Sequence, residues 1–142
     1  MSTSAPARVP ATDDGTGPRW ETPAGEIIGH RVGTALRASG IRYARAGRFE
    51  RPTPEPPAST PIDATRPAPA CPQPPMEFTE RVLGIRRGEL GFDEDCQRLT
   101  ITVPAEASAA GRLPVMVMIH GGSYTAGAGD LAIYDPRNLV TE

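Results

Sequence analysis

The residues best placed to do chemistry are His120, Gly121, Gly122 and Ser123, which follow directly on the apolar run Val115-Met-Val-Met-Ile119. Glycines carry no side chain to screen their peptide N–H groups. Backbone amides freed at a strand-to-loop corner are what an oxyanion hole requires: donors fixed in place before negative charge develops on a carbonyl oxygen. Taken alone, the His-Gly-Gly corner also reads as a tight turn whose glycines only supply positive φ.

Two rival chemistries are weaker. Gly121-Gly-Ser-Tyr-Thr125 is almost G-x-S-x-G and would make Ser123 a nucleophile, but Thr125 stands where the tight turn wants glycine. A relay would also need a second histidine, and His30 is the only one besides His120. Gly127-Ala-Gly129 lacks the third glycine of a dinucleotide fingerprint. All 15 basic residues are arginines, so chemistry that needs a lysine amine is excluded. Asp93, Glu94 and Asp95 lack calcium-loop spacing, and the two cysteines and two histidines have no zinc spacing, so no metal or cofactor is expected. The net charge is −2 and the arginines are scattered, which argues against a nucleic-acid partner.

The positioning elements follow from pattern. The run 115–119 shows no alternation, so it predicts a strand covered on both faces, as inside a parallel sheet. Arg19-Trp-Glu-Thr22 and Glu26 to Val32 flank Pro23-Ala-Gly25 and predict a hairpin. A short strand is expected over 40–49, then an irregular surface crossing through the prolines of 51–57 and 61–75. A Pro-rich interdomain linker, or a Pro-rich ligand segment, is the other reading of 52–75. One short helix is expected within 77–91, with Arg81, Arg86 and Arg87 on a solvated face. Gln97 to Val103 alternates and predicts a half-buried strand with Leu99, Ile101 and Val103 facing in. A turn-rich link over 104–111 and the start of a helix over 135–142 complete the pattern. Fifteen glycines and seventeen prolines among 142 residues require much of the chain to be loop. Residues 1–18 are Ser-, Ala-, Thr- and Pro-rich without the apolar core of a signal peptide, and predict a disordered leader on a cytoplasmic protein. No apolar run reaches the roughly 18 residues a membrane span needs.

Four islands then occur in a familiar order: Gly40-Ile-Arg-Tyr-Ala44 with Arg48-Phe49, Ala70-Cys-Pro-Gln-Pro74, Glu94-Asp-Cys96, and Met118-Ile-His-Gly-Gly-Ser-Tyr124 through Gly127-Ala-Gly129 to Tyr134-Asp135. On these the chain resembles the amino-terminal part of a type B carboxylesterase, the cholinesterase and p-nitrobenzyl esterase branch of the α/β-hydrolases. The resemblance implies a partial α/β-hydrolase fold over 19–142: antiparallel edge strands, a long Pro-rich covering loop and the first central strands. It implies that the N–H groups of Gly122 and Ser123, with Gly121 in the same loop, stabilise an oxyanion during hydrolysis of a small carboxylic ester. It places the nucleophilic serine, the acid and the base in a later part of the family's sequence that these residues do not include, so the chain is expected to be inactive alone, with a carboxy-terminal remainder as its partner. Ser123 departs from the family's commonest Gly or Ala. By the same resemblance Cys71 and Cys96 occupy the positions of a loop-closing disulfide in secreted relatives, and Arg48 and Glu94 those of a buried or half-buried ion pair. Two independent surface charges, and two free thiols in a reducing cytoplasm, are the alternatives. A non-catalytic binding module and a truncated gene product also remain open.

Overall fold

The computed structural model describes residues 17–75, 77–83, 90–108 and 111–142. Residues 1–16 of the leader expected over 1–18 lie outside the described residues, as do Arg86 and Arg87. The chain runs β1 (Arg19–Thr22), β2 (Gly25–Ile28), β3 (His30–Val32), β4 (Ala35–Arg42), β5 (Ala44–Arg45), β6 (Thr53–Pro54), β7 (Ile62–Asp63), α1 (Glu77–Leu83), β8 (Arg98–Pro104), a 3-10 turn (Ala132–Tyr134) and α2 (Arg137–Val140).

The strands form three small sheets in the orders β1-β2-β7, β3-β4-β8 and β5-β6. The predicted hairpin forms, with Arg19 opposite Ile28 and Thr22 opposite Gly25. Its second arm does not run on to Val32 as expected. It breaks at Gly29, where an added Cβ would stand 2.5 Å from the Trp20 ring and 2.3 Å from the Arg37 carbonyl. The chain passes there from one sheet to the other. Across the divide, Ile27, Ala38, Ile41 and Ala64 form the core, with Trp20 and Ile62 packed on it. That core is thin, because most of the buried apolar residues are alanines.

The central strand is β4, which lies five residues earlier than the pattern suggested. Ala35, Leu36, Ala38, Ser39 and Ile41 along it are all buried. Small residues are required where neighbours close on both faces, and their weak strand propensity hid the element. The β4–β8 ladder slips between Ala38 and Ile41, and Gly40 takes φ +69° in the slip. A bulge frees a carbonyl that needs a donor. Arg98 Nη1 donates to the Gly40 carbonyl at 2.8 Å. The same guanidinium pairs with Asp95, as does Arg42 from β4. The hydrogen bond from Arg42, with help from Arg98, holds the Asp95 carboxyl down at about 2, against an ordinary 3.8.

Three expectations are corrected. Leu99 and Ile101 do not face in; they are 40% and 48% exposed, and Arg98, Thr100 and Thr102 occupy the better covered face. On the covered face Thr102 Oγ1 accepts from Arg37 Nε at 3.2 Å and Arg98 finds the Gly40 carbonyl, whereas the Thr100 hydroxyl is buried without a partner among the described residues. Second, 115–119 forms no strand and joins no ladder among the described residues, and Val115 and Ile119 are 87% and 88% exposed. A strand exists only where another backbone pairs with it. Third, the Pro-rich crossing is not wholly irregular: β6 pairs with β5, and β7 lies parallel to β2. The short helices at α1 and α2 fall where they were expected. Among the described residues, no helix is long and apolar enough to cross a membrane.

An apolar, uncharged, unpaired segment is an aggregation template. The chain should therefore associate with rising concentration, and Val117→Lys should keep it monomeric by size-exclusion chromatography. In that variant the Asp95 linkage is measurable. Its carboxyl is depressed in the folded state, so the stability it contributes is full above pH 4 and is lost as pH falls toward 2. With its side chain about a third exposed, the contribution is about 1 kcal/mol after allowance for screening. Urea unfolding followed by Trp20 fluorescence should show that slope in the parent and a flatter one in Asp95→Asn.

Candidate active-site loop

The segment 120–127 is folded on itself. The His120 Nδ1–H donates to the Gly121 carbonyl at 2.8 Å. The Gly122 carbonyl accepts from Thr125 N at 2.9 Å, Ala126 N at 3.1 Å and Thr125 Oγ1 at 3.0 Å. The backbone enters the left-handed region at Gly122 (φ +128°), and Ser123 (φ +52°) and Tyr124 (φ +59°) continue in it. Two consecutive non-glycine residues there cost on the order of 1–3 kcal/mol each, which the three bonds to Gly122 offset in part. The geometry does not favour the departure at Ser123, since glycine would carry no strain at such a φ. At Gly122 no other residue fits, because a Cβ would stand 1.7 Å from the Ala126 carbonyl. Gly127 lies close on the start of the loop, where a Cβ would come within 2.5 Å of the Gly121 carbonyl and 2.7 Å of His120 Nδ1.

Among the described residues, nothing accepts from the N–H of Gly122 or of Ser123. Two backbone donors on successive residues thus stand unused at an exposed corner. That arrangement can receive an anionic oxygen.

The loop is held by the Pro-rich crossing and not by the strand-like run that leads into it. Gln73 grips Gly127 twice: its Oε1 accepts from Gly127 N at 2.7 Å and its Nε2 donates to Gly127 O at 3.0 Å. Its Nε2 also donates to the Cys71 carbonyl at 3.0 Å. Ala68 N donates to Asp130 Oδ2 at 2.6 Å. Farther along, Arg37 on β4 donates to Asp135 at 2.5 Å, and Arg137 does so at 2.6 Å. Burial pushes the Asp135 carboxyl up, but the hydrogen bonds from Arg37 and Arg137 outweigh it and leave it below its ordinary value. Gln73 lies inside a quoted island, yet an amide in a proline-rich coil has no periodicity to reveal a role. Asp130 and the Arg37–Asp135 pair gave no local signal either.

The other named residues lie elsewhere. His30 sits in β3 opposite Arg37, its Nδ1 buried without a partner among the described residues. Cys71 is exposed and Cys96 half-buried, both as free thiols. Burial, with the nearby Cys71, pushes the Cys96 thiol up. The segments that carry them are joined by backbone, Ala70 N to Gly91 O at 3.1 Å and Asp93 N to Ala70 O at 3.0 Å. Arg48 donates to Glu94, but the side chains are 64% and 55% exposed, so the pair is a surface one and not buried or half-buried. Such pairs contribute about 0–1 kcal/mol. A cleft of about 320 Å³ lined by Arg42, Arg45, Asp93, Glu94, Asp95 and Gln97 includes none of the 120–127 loop. Arg42 pairs with Asp95 within it, while Arg45 and Glu94 pair with Glu55 and Arg48 outside its lining. No group of His, Cys, Asp and Glu able to hold a metal occurs among the described residues.

Comparison with known proteins converges on one family. The profile of the carboxylesterase family matches residues 16–142. A probable N-octanoylanthranilate hydrolase from Rhodococcus erythropolis is 36% identical over 121 residues, which cover 84% of this chain and 26% of that protein. The para-nitrobenzyl esterase of Bacillus subtilis is 34% identical over 123 residues, 83% of this chain and 24% of that enzyme. A solved p-nitrobenzyl esterase, an α/β-hydrolase, superposes with a TM-score of 0.70 at 30% identity, covering 96% of this chain and 25% of its own. The chain spans about a quarter of the length of these relatives.

The loop geometry makes two neighbouring glycines respond differently. An added Cβ at Gly121 meets nothing within 4 Å, so Gly121→Ala should leave the loop intact. Gly122→Ala should cost roughly 1–3 kcal/mol and open it. Hydrogen exchange at Thr125 and Ala126, both donors to the Gly122 carbonyl, should rise at least about tenfold in Gly122→Ala only.

Proposed function

Since the chain belongs to the carboxylesterase family, we propose that it carries the oxyanion-hole loop of a carboxylic ester hydrolase, with Gly122 and Ser123 as backbone donors. The observation that carries this reading is the pair of unused N–H groups at a corner only glycine can make. The substrate is a small carboxylic ester, whose carbonyl oxygen becomes negatively charged when a nucleophile adds to carbon. The two N–H groups stabilise that charge. The 142 residues contain no G-x-S-x-G, so the serine, acid and base of the reaction belong to other residues of a complete enzyme. This chain corresponds to the amino-terminal part of such an enzyme and completes its site with that remainder. No cofactor enters the chemistry. In a reducing cytoplasm Cys71 and Cys96 stay as thiols.

The chain alone should not turn over p-nitrophenyl acetate, because loss of the nucleophile or base costs on the order of a millionfold while an oxyanion hole by itself retains about a thousandfold over water. Turnover abolished by Ser123→Ala would overturn this and make Ser123 the nucleophile. The positive test exchanges residues 19–142 into the Bacillus subtilis para-nitrobenzyl esterase in place of the aligned quarter. The chimera should hydrolyse the ester, and Gly122→Ala in it should lower kcat about 100- to 1,000-fold. A folded but inactive chimera would sink the proposal.

A further inference from the structure

We propose that Gln73 is a positioning residue that sets the Gly122 and Ser123 donors from outside their own loop, an inference that rests on the oxyanion-hole reading. The connection is physical at each step. Gln73 holds the backbone N–H and C=O of Gly127, and its donation to the Cys71 carbonyl fixes the amide in the Pro-rich crossing. Gly127 in turn stands against the Gly121 carbonyl and the His120 ring with no room for even a Cβ between them. Gly121 is bonded directly to Gly122, so the clamp ends at the peptide that presents the first donor. The lead-in run 113–119 cannot do this work, since it is exposed and unpaired among the described residues. A carboxamide suits the role because it offers both an acceptor and a donor, complementary to the backbone N–H and C=O it grips.

The test is residue-resolved hydrogen exchange and amide chemical shifts on the full 142-residue chain. Gln73→Leu removes both bonds to Gly127 and the one to the Cys71 carbonyl, so exchange at Gly127 should rise about tenfold or more. The Gly122 and Ser123 amide resonances should move with it, while Ser39 and Ile41 in β4 keep their rates. Gln73→Glu retains an acceptor for Gly127 N and should bring its exchange back to within about threefold of the parent. An unchanged Gly127 rate in Gln73→Leu would overturn the proposal. So would a rise shared equally by Ser39 and Ile41, which would mean that Gln73 only stabilises the fold. The two readings fail separately: an inactive chimera removes the oxyanion hole and leaves the exchange result standing, whereas unchanged exchange removes the clamp and leaves the esterase reading untouched.

Discussion

β4 is paired on both edges and buries residues on both faces, and at Ala35, Ala38 and Ser39 it carries small side chains between its neighbours. Ala35, Ala38 and Ser39 admit the neighbouring layers, and the slip at Gly40 turns the ladder without opening it. The apolar gain is then modest, because alanines bury little area. Polar contacts have to complete the joint. Arg98 saturates the carbonyl left free at Gly40, and Asp95 holds Arg98 and Arg42 together across β4 and β8. Leaving that carbonyl or carboxylate unpaired would cost more than the pairing itself gains.

From β4 outward the molecule has two kinds of attachment. The hairpin of β1 and β2 packs on it through Trp20 and Ile27, by apolar contact. The region from Gly127 to Asp135 is attached by hydrogen bonds instead, through Gln73, the Ala68 amide and Arg37. Between these attachments, 113–119 crosses open solvent. The candidate site is therefore placed by a coil that precedes it by some fifty residues, and its own lead-in contributes direction without support.

What the sequence reveals follows from the range of each force. The His-Gly-Gly corner is legible because the requirement for glycine at 122 is local, a clash with a carbonyl four residues on. The apolar character of 115–119 is equally plain, but a strand needs a partner, which no local pattern can promise. Alternation in β8 identifies two faces correctly and misassigns them: Leu99 and Ile101 are the apolar set, yet the covered side is the one offering Arg37 and the Gly40 carbonyl. β4 itself was invisible from Ala35 to Ser39, where neighbours and not propensity select the conformation. Gln73 and Asp130 act at a distance along the chain, and nothing in their surroundings marks them.

The long crossing between β4 and β8 also sets the order of assembly. Arg42 meets Asp95 across 53 positions, and closing so large a loop loses entropy before any ladder bond repays it. The β1–β2 and β3–β4 pairings close over a few residues and can form at once. Contact order thus separates a fast amino-terminal nucleus from a late arrival of β8 and everything after it. On a ribosome, the corner at Gly122 would be set against the rest of the chain only after β8 had emerged.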